Sequence, residues 1–97
     1  MNVSLYDVKY VEKNEGEAMK IRKATINENT ENIFIYENKK EEYTVVAIPS
    51  IEWSTVIPYE EETISLKTRM LHSLVKRLEE TQATNIGMKI TQWVREM

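Results

Sequence analysis

Residues 43–48 read Tyr-Thr-Val-Val-Ala-Ile, and Pro49 follows them directly. β-Branched and aromatic residues favour strands, and a proline cannot donate a hydrogen bond to a sheet ladder. The stretch therefore predicts a β-strand that stops before Pro49. Apolar side chains occupy both of its faces, which is typical of a central strand covered on both sides. Two interpretations of the second covered face stay open: a second subunit of a homodimer packs on it, or the strand is partly exposed.

Similar runs stand on either side of this strand at short, regular spacing. Residues 51–57 predict the next strand, which ends at Pro58, and residues 33–36 predict the preceding one. The alternation of charged and less polar residues from 20 to 26 predicts a further strand. Two polar stretches between the runs have the composition of turns, at 27–32 and 37–42. The pattern predicts an antiparallel meander of three to four strands.

After Pro58 the hydrophobic period becomes that of helices. The acidic residues 60–62 suit a helix start, because the helix dipole favours negative charge there. The pattern predicts one helix to about Glu80 and, after a break at 81–84, a second one. The two apolar stripes are Ile64, Met70, Leu71, Leu74, Val75 and Leu78 in the first helix and Ile86, Ile90, Trp93, Val94 and Met97 in the second.

The sheet and the helices each need a partner to bury their apolar sides. An amphipathic helix gains most of its stability by burying its apolar face, and a sheet needs a layer packed on it. We therefore predict an α+β fold in which both C-terminal helices pack on one face of the meander. The other sheet face then lies toward solvent or toward a binding partner.

The N-terminal residues differ from the rest of the chain. The apolar alternation slips after Leu5, and residues 12–17 are polar. We interpret 1–18 as an N-terminal extension or weak strand and 19–97 as a single α+β domain. The peptide 15–19 can be encoded by a purine-rich stretch of the ribosome-binding type, so translation starting at Met19 is one hypothesis. The alternative is that Glu and Gly codons are purine-rich by necessity.

Composition weighs against several classes of function. The net charge of −3 and the isoelectric point near 5.2 weigh against a nucleic-acid partner, because phosphate binding needs a concentrated positive field. The chain has no cysteine and two glycines, so thiol chemistry and a glycine-rich phosphate loop are excluded. No apolar run has the length of a membrane span, and no signal peptide is recognisable. These features fit a cytoplasmic protein.

Catalytic constellations are absent from the sequence. His72 is the single histidine, and a general base or a histidine metal site needs further groups around it. We expect no enzyme activity, no cofactor and no metal. An enzyme built on a carboxylate or tyrosine centre is a minor alternative, and it would need a deep pocket lined by ionisable groups.

One helix carries a basic patch. Lys67, Arg69, Lys76 and Arg77 fall in the first predicted helix, in a stretch from 64 to 78 that contains no acid. The patch raises the hypothesis of a nucleic-acid-binding protein that uses the first helix. The simpler interpretation is a solvated helix face, because acidic residues flank the patch on both sides.

Aromatic residues of the strands mark a possible interaction surface, at Tyr36, Tyr43 and Trp53. Strict alternation puts Trp53 on one face with Ile51 and Thr55. It is either part of the core or an exposed anchor of an interface, since tryptophan is favoured at binding hot spots. Our leading hypothesis is a non-enzymatic protein-interaction or regulatory module, acting through the exposed sheet face or an edge strand on a protein partner or a second copy.

Three stretches carry a family resemblance: FIYENKKEEYTVVAIP at 34–49, EWS at 52–54 and QWVREM at 92–97. In them the chain resembles the YueH-like proteins, a group of small uncharacterised proteins of Bacillus and its relatives. The resemblance covers 19–97 and leaves 1–18 outside. It implies a cytoplasmic bacterial protein, and it brings no catalytic residues.

Overall fold

A computed structural model describes residues 16–96 of the chain. Four strands precede two helices in the order β1 (Glu17–Ile26), β2 (Asn29–Asn38), β3 (Tyr43–Ile48), β4 (Trp53–Pro58), α1 (Thr63–Leu74) and α2 (Glu80–Glu96). Each strand pairs antiparallel with the next one along the chain, in the order β1-β2-β3-β4. The predicted α+β fold, an antiparallel meander followed by two helices, is confirmed.

The stretch from 43 to 48 forms β3 with the predicted bounds, inside the sheet between β2 and β4. Pro49 ends the strand and begins a 3-10 turn that extends to Ile51. The turn closes when Glu52 N–H donates to the Pro49 carbonyl over 3.0 Å, with Glu52 in the left-handed region at φ 53°. β4 therefore begins at Trp53, two residues later than predicted.

The first hairpin is tighter than its composition indicates. The turn predicted at 27–32 consists of Asn27 and Glu28, and β2 already begins at Asn29, which pairs with Ile26. Both turn residues have positive φ, 51° and 68°. Two central residues with φ above zero match the right-handed twist of paired strands, so a long polar stretch was not needed.

The first strand also begins earlier than predicted. Glu17 pairs with Asn38 and Ala18 pairs with Glu37, so residues 17 and 18 are part of the sheet. The predicted domain boundary at residue 19 therefore falls inside β1. The weak strand predicted near the N-terminus, at 3–11, lies outside the described residues.

The first helix ends at Leu74, six residues before its predicted end near Glu80, and the second begins before the predicted break at 81–84. After Leu74 the chain tightens, with Lys76 N–H donating to Ser73 over 3.3 Å and Arg77 N–H donating to Leu74 over 2.9 Å. This turn buries Leu78, which explains why the apolar stripe continues beyond the helix. α2 then starts at Glu80, where the Glu79 carboxylate accepts the Gln82 N–H over 3.0 Å as a cap.

One core lies between the sheet and both helices. Its buried residues are Ala24, Ile26, Ile33, Ile35, Val46, Ile48, Trp53, Ile57, Leu66, Met70, Leu74, Leu78, Ala83, Ile86, Ile90 and Val94. Every strand contributes alternate residues, so the two helices cover a single sheet face. The helices approach closely at Gly87, where an added Cβ would lie 3.3 Å from the Met70 Cβ. Over residues 16–96, no helix is both long and apolar enough to cross a membrane.

Trp53 belongs to this core, with 7% of its surface exposed. Its indole N–H donates to Ser73 Oγ over 2.7 Å, which joins β4 to α1. Of the two alternatives drawn from the sequence, the exposed anchor is therefore the wrong one. The physical reason is the strand's parity, because Trp53 shares a face with the buried Ile57.

Candidate interaction surface

The sheet face opposite the helices is apolar. Its eight central residues, which define what we call the open face, are Met19, Ile21, Phe34, Tyr36, Tyr43, Val45, Ala47 and Val56. Three of them at the sheet's outer strands are more than half exposed: Met19 at 58%, and Ile21 and Val56 each at 55%. Within residues 16–96, no other element packs on this face.

The strand register makes the open face continuous. One row runs across all four strands through Met19, Tyr36, Val45 and Val56, each paired with the next. The adjacent row runs through Ile21, Phe34, Ala47 and Ser54. Directly opposite residues on one sheet face are close enough to touch. The two rows therefore form one surface patch rather than scattered apolar residues.

A polar margin borders one end of this patch. Tyr36 donates its hydroxyl to Glu17 Oε2 over 2.7 Å and accepts from Asn38 Nδ2 over 3.2 Å. The Tyr36 and Tyr43 rings lie 6.4 Å apart between centroids, tilted by 54°. Burial and the neighbouring Glu17 carboxylate raise the pKa of Tyr36 to about 12, so the phenol stays a neutral donor. An apolar centre with a polar margin is the usual anatomy of a protein interface.

Of the three aromatic residues predicted as an interaction surface, the structure brings two together. Tyr36 and Tyr43 lie on the open face, whereas Trp53 lies on the opposite face against the helices. The most exposed members, Met19, Ile21 and Val56, were missed. The available signal was strand parity, since Met19 and Ile21 alternate with Lys20 and Arg22 along β1.

The four residues of the predicted basic patch do not all lie on the first helix. Lys67 and Arg69 lie on α1, but Lys76 and Arg77 lie in the turn after it. Arg77 Nη2 approaches the Glu52 carbonyl at 3.4 Å. The sequence predicted a helix to about Glu80, but α1 ends at Leu74. Lys76 and Arg77 therefore do not lie on a helix face with Lys67 and Arg69.

Arg69 has structural partners on three sides. Its Nε and Nη2 donate to the two oxygens of Glu61 over 2.9 and 2.8 Å, its Nη1 donates to Thr55 Oγ1 over 2.7 Å, and Nη2 also reaches the Val56 carbonyl at 3.0 Å. The bidentate hydrogen bond from Arg69 holds the pKa of Glu61 below its usual range. This guanidinium ties α1 to β4 and to the segment before α1.

A different set of cations shares a groove between the helices. The groove, about 660 Å³ in volume, is lined by Lys67 of α1 and by Lys89 and Arg95 of α2, together with Thr63, Asn85, Met88, Thr91 and Gln92. It is open to solvent. The three cations without an acid among the lining residues give the groove an electropositive character.

A smaller cleft, about 220 Å³, opens at the edge of the core. Glu37 lies there with 7% of its surface exposed, and the Tyr59 hydroxyl donates to its Oε2. Burial and this carboxylate raise the pKa of Tyr59 to about 12. Thr44 and Arg95 complete the polar lining. Among the described residues, no three His, Asp or Glu side chains stand close enough to hold a metal ion.

Comparisons with known proteins agree with the sequence resemblance. A family model described as YueH-like protein matches residues 20–96. A protein of Bacillus subtilis (strain 168), "Uncharacterized protein YueH", is 48% identical over 82 residues, which cover 81% of this chain and 100% of that protein. No solved structure matches the chain significantly. The resemblance drawn from residues 34–49, 52–54 and 92–97 is confirmed.

Proposed function

This chain belongs to the YueH-like family, and from that premise we propose that it is a non-enzymatic protein-interaction or regulatory module that binds through the open face. One observation carries the proposal. Met19, Ile21 and Val56, each more than half exposed, are joined across the sheet into one apolar patch. Contiguous apolar patches of this kind mark interaction sites on soluble proteins, because leaving them in water costs free energy.

The neighbouring polar groups support the same proposal. The Tyr36 hydroxyl, the Glu17 carboxylate and the Asn38 amide are already linked by hydrogen bonds at the edge of the patch. Pre-ordered polar groups lose little conformational freedom when a partner docks. Tyrosine is favoured at interfaces because its ring is apolar and its hydroxyl is polar.

The proposed location is the bacterial cytoplasm. A chain with no cysteine gains nothing from an oxidising compartment, and the relative with 48% identity comes from Bacillus subtilis. Fractionation of the native host with an antibody against the chain checks this location.

Affinity capture from the native host tests the function. The bait is the full chain, and its matched variants are Val56→Lys on the open face and Ile64→Lys on α1, where Ile64 is 81% exposed. Both changes place a charge at an exposed apolar position. We expect Val56→Lys to lose the bound proteins and Ile64→Lys to retain them. Equal capture by both variants would contradict the assignment of the open face.

A nucleic-acid-binding function is the second candidate, and the groove lined by Lys67, Lys89 and Arg95 supports it. It differs from the sequence hypothesis, since the cations come from two helices. The net charge of −3 weighs against it. Gel shifts with duplex and single-stranded DNA and RNA at low salt provide the test. If the groove binds nucleic acid, we expect a gel shift that weakens as salt increases. The double variant Lys67→Ala/Lys89→Ala should abolish this shift, and the double variant Lys76→Ala/Arg77→Ala should retain it. No shift at low salt contradicts it.

A further inference from the structure

We propose that the partner of the open face is a second copy of this chain, in a homodimer whose two sheets pack face to face with the helices outside. The inference rests on the proposed function, because it names the occupant of the same face. Two sheets packed in this way interdigitate their side chains and stay within about 30° of parallel. The size, the relief and the charges of the face each favour a second copy.

The size of the face fits a reversible dimer. Three side-chain rows cross all four strands, from the row of Ile21 to the row of Tyr43. With strands about 4.8 Å apart and same-face residues about 6.7 Å apart, the rows span roughly 400 Å² in projection on each copy. Side-chain relief adds to that area, so the total buried on two copies comes near the roughly 1,000 Å² that a specific interface needs. An interface of this size is typical of a weak, reversible dimer.

Large and small side chains on the open face are arranged so that two copies of the face fit each other. The large rings of Phe34 and Tyr36 stand on β2, directly opposite the small Ala47 and Val45 on β3. A twofold axis parallel to the strands lays β2 of each copy on β3 of the other. Each ring then lies over a small side chain of the partner copy. An axis perpendicular to the strands would lay β2 on β2 and set ring against ring.

The charged residues at the margin of the open face also favour the twofold axis parallel to the strands. One same-face step beyond Ile21 on β1 is Lys23. At the opposite edge of the sheet, Glu52 lies in the turn immediately before β4. Both are exposed. The axis parallel to the strands reverses the order of strands between copies. Lys23 of each copy therefore comes close to the end of β4 of the other copy, where Glu52 lies, twice in the dimer.

Sedimentation equilibrium over a concentration series gives the direct test, with the full chain and no added ligand. We expect the mean mass to rise from 11.5 kDa toward twice that value as the concentration increases. Val56→Lys should raise the dissociation constant about tenfold or more, because its ammonium would be buried in an apolar interface. Ile64→Lys, an equally apolar and more exposed site on α1, should leave the constant unchanged. Circular dichroism confirms that each variant is folded.

Charge reversal tests the orientation. Lys23→Glu and Glu52→Lys should each weaken the dimer by about two- to fivefold, and the double variant should restore it. A double variant no better than the single ones overturns the proposed packing.

The failure of this inference differs from the failure of the proposed function. A monomer of 11.5 kDa at every concentration, or a dimer that Val56→Lys leaves intact, overturns the second copy. The monomer could still capture host proteins. If Val56→Lys abolishes that capture and Ile64→Lys does not, the open face binds another protein and the proposed function stands. If capture fails too, both are overturned.

Discussion

Arg69 on α1 holds Glu61 by both carboxylate oxygens, with its Nε 2.9 Å from Oε2 and its Nη2 2.8 Å from Oε1. The same guanidinium donates to Thr55 Oγ1 over 2.7 Å. A residue that looked like part of a basic binding patch is therefore a structural link between the helical layer and the last strand. Bidentate, charge-assisted hydrogen bonds are the stronger kind.

Replacing Arg69 should cost stability. We expect Arg69→Gln to lower the free energy of unfolding by about 1–2 kcal/mol, because the Glu61 carboxylate loses its donors and β4 loses a tie to α1. Lys67→Gln, an exposed position on the same helix, is the matched control and should change it by about 0.5 kcal/mol or less. Urea unfolding followed by circular dichroism measures both. Equal effects of the two variants would show that the ion pair contributes nothing.

Acid should weaken the protein partly through Glu61. Arg69 holds the pKa of this carboxyl below its usual 4.5 in the folded protein. A depressed folded pKa gives stability that is present above the usual value and is lost as the pH falls through the folded one. We expect Glu61→Gln to be less stable than the natural chain at neutral pH and to lose less stability below about pH 4.5. Urea midpoints measured at a series of pH values check this, and parallel acid profiles would contradict it.

The buried Trp53 indole depends on one acceptor. Its N–H donates to Ser73 Oγ over 2.7 Å, and an unsatisfied buried donor is costly. We expect Ser73→Ala to lower the free energy of unfolding by about 1–2 kcal/mol. Ser54→Ala, at an exposed site on β4, should have little effect. Tryptophan fluorescence during denaturant unfolding follows both variants. A Ser73→Ala protein as stable as Ser54→Ala would show that the hydrogen bond is dispensable.

A substitution at Glu28 in the first hairpin should stabilise the protein. Its φ of 68° is unfavourable for a residue with a side chain, and the preceding Asn27 has φ 51°. Asn-Gly is the preferred pair for a two-residue turn of this kind. We expect Glu28→Gly to raise the free energy of unfolding by about 0.5–1 kcal/mol. Glu31→Gly inside β2 should lower it instead, because glycine weakens a strand interior. Thermal unfolding of both variants measures the difference in sign.

Sequence patterns alone predicted the element types and the bounds of β3. Local patterns carry this information, since strand alternation, helical spacing and the stops at Pro49 and Pro58 depend on near neighbours in the chain. The α+β class and the two-helix ending followed from them. The extent of the turns did not, because Asn27 and Glu28 adopt positive φ within a polar stretch that could hold a longer loop.

Which side chains share a surface depends on how the sheet and the helices pack together. Trp53 and Tyr36 are both aromatic residues of predicted strands, yet Trp53 packs against α1 and Tyr36 lies on the open face. The reason is that the helices cover one face of the sheet and leave the other uncovered. Met19 and Val56, far apart in the chain, come into one row through the register of three strand pairs. Likewise, only the folded structure shows that Arg69 of the predicted basic patch forms an ion pair with Glu61. Register, parity of cover and long-range ion pairs are properties of the assembled layers, and a single strand or helix cannot encode them.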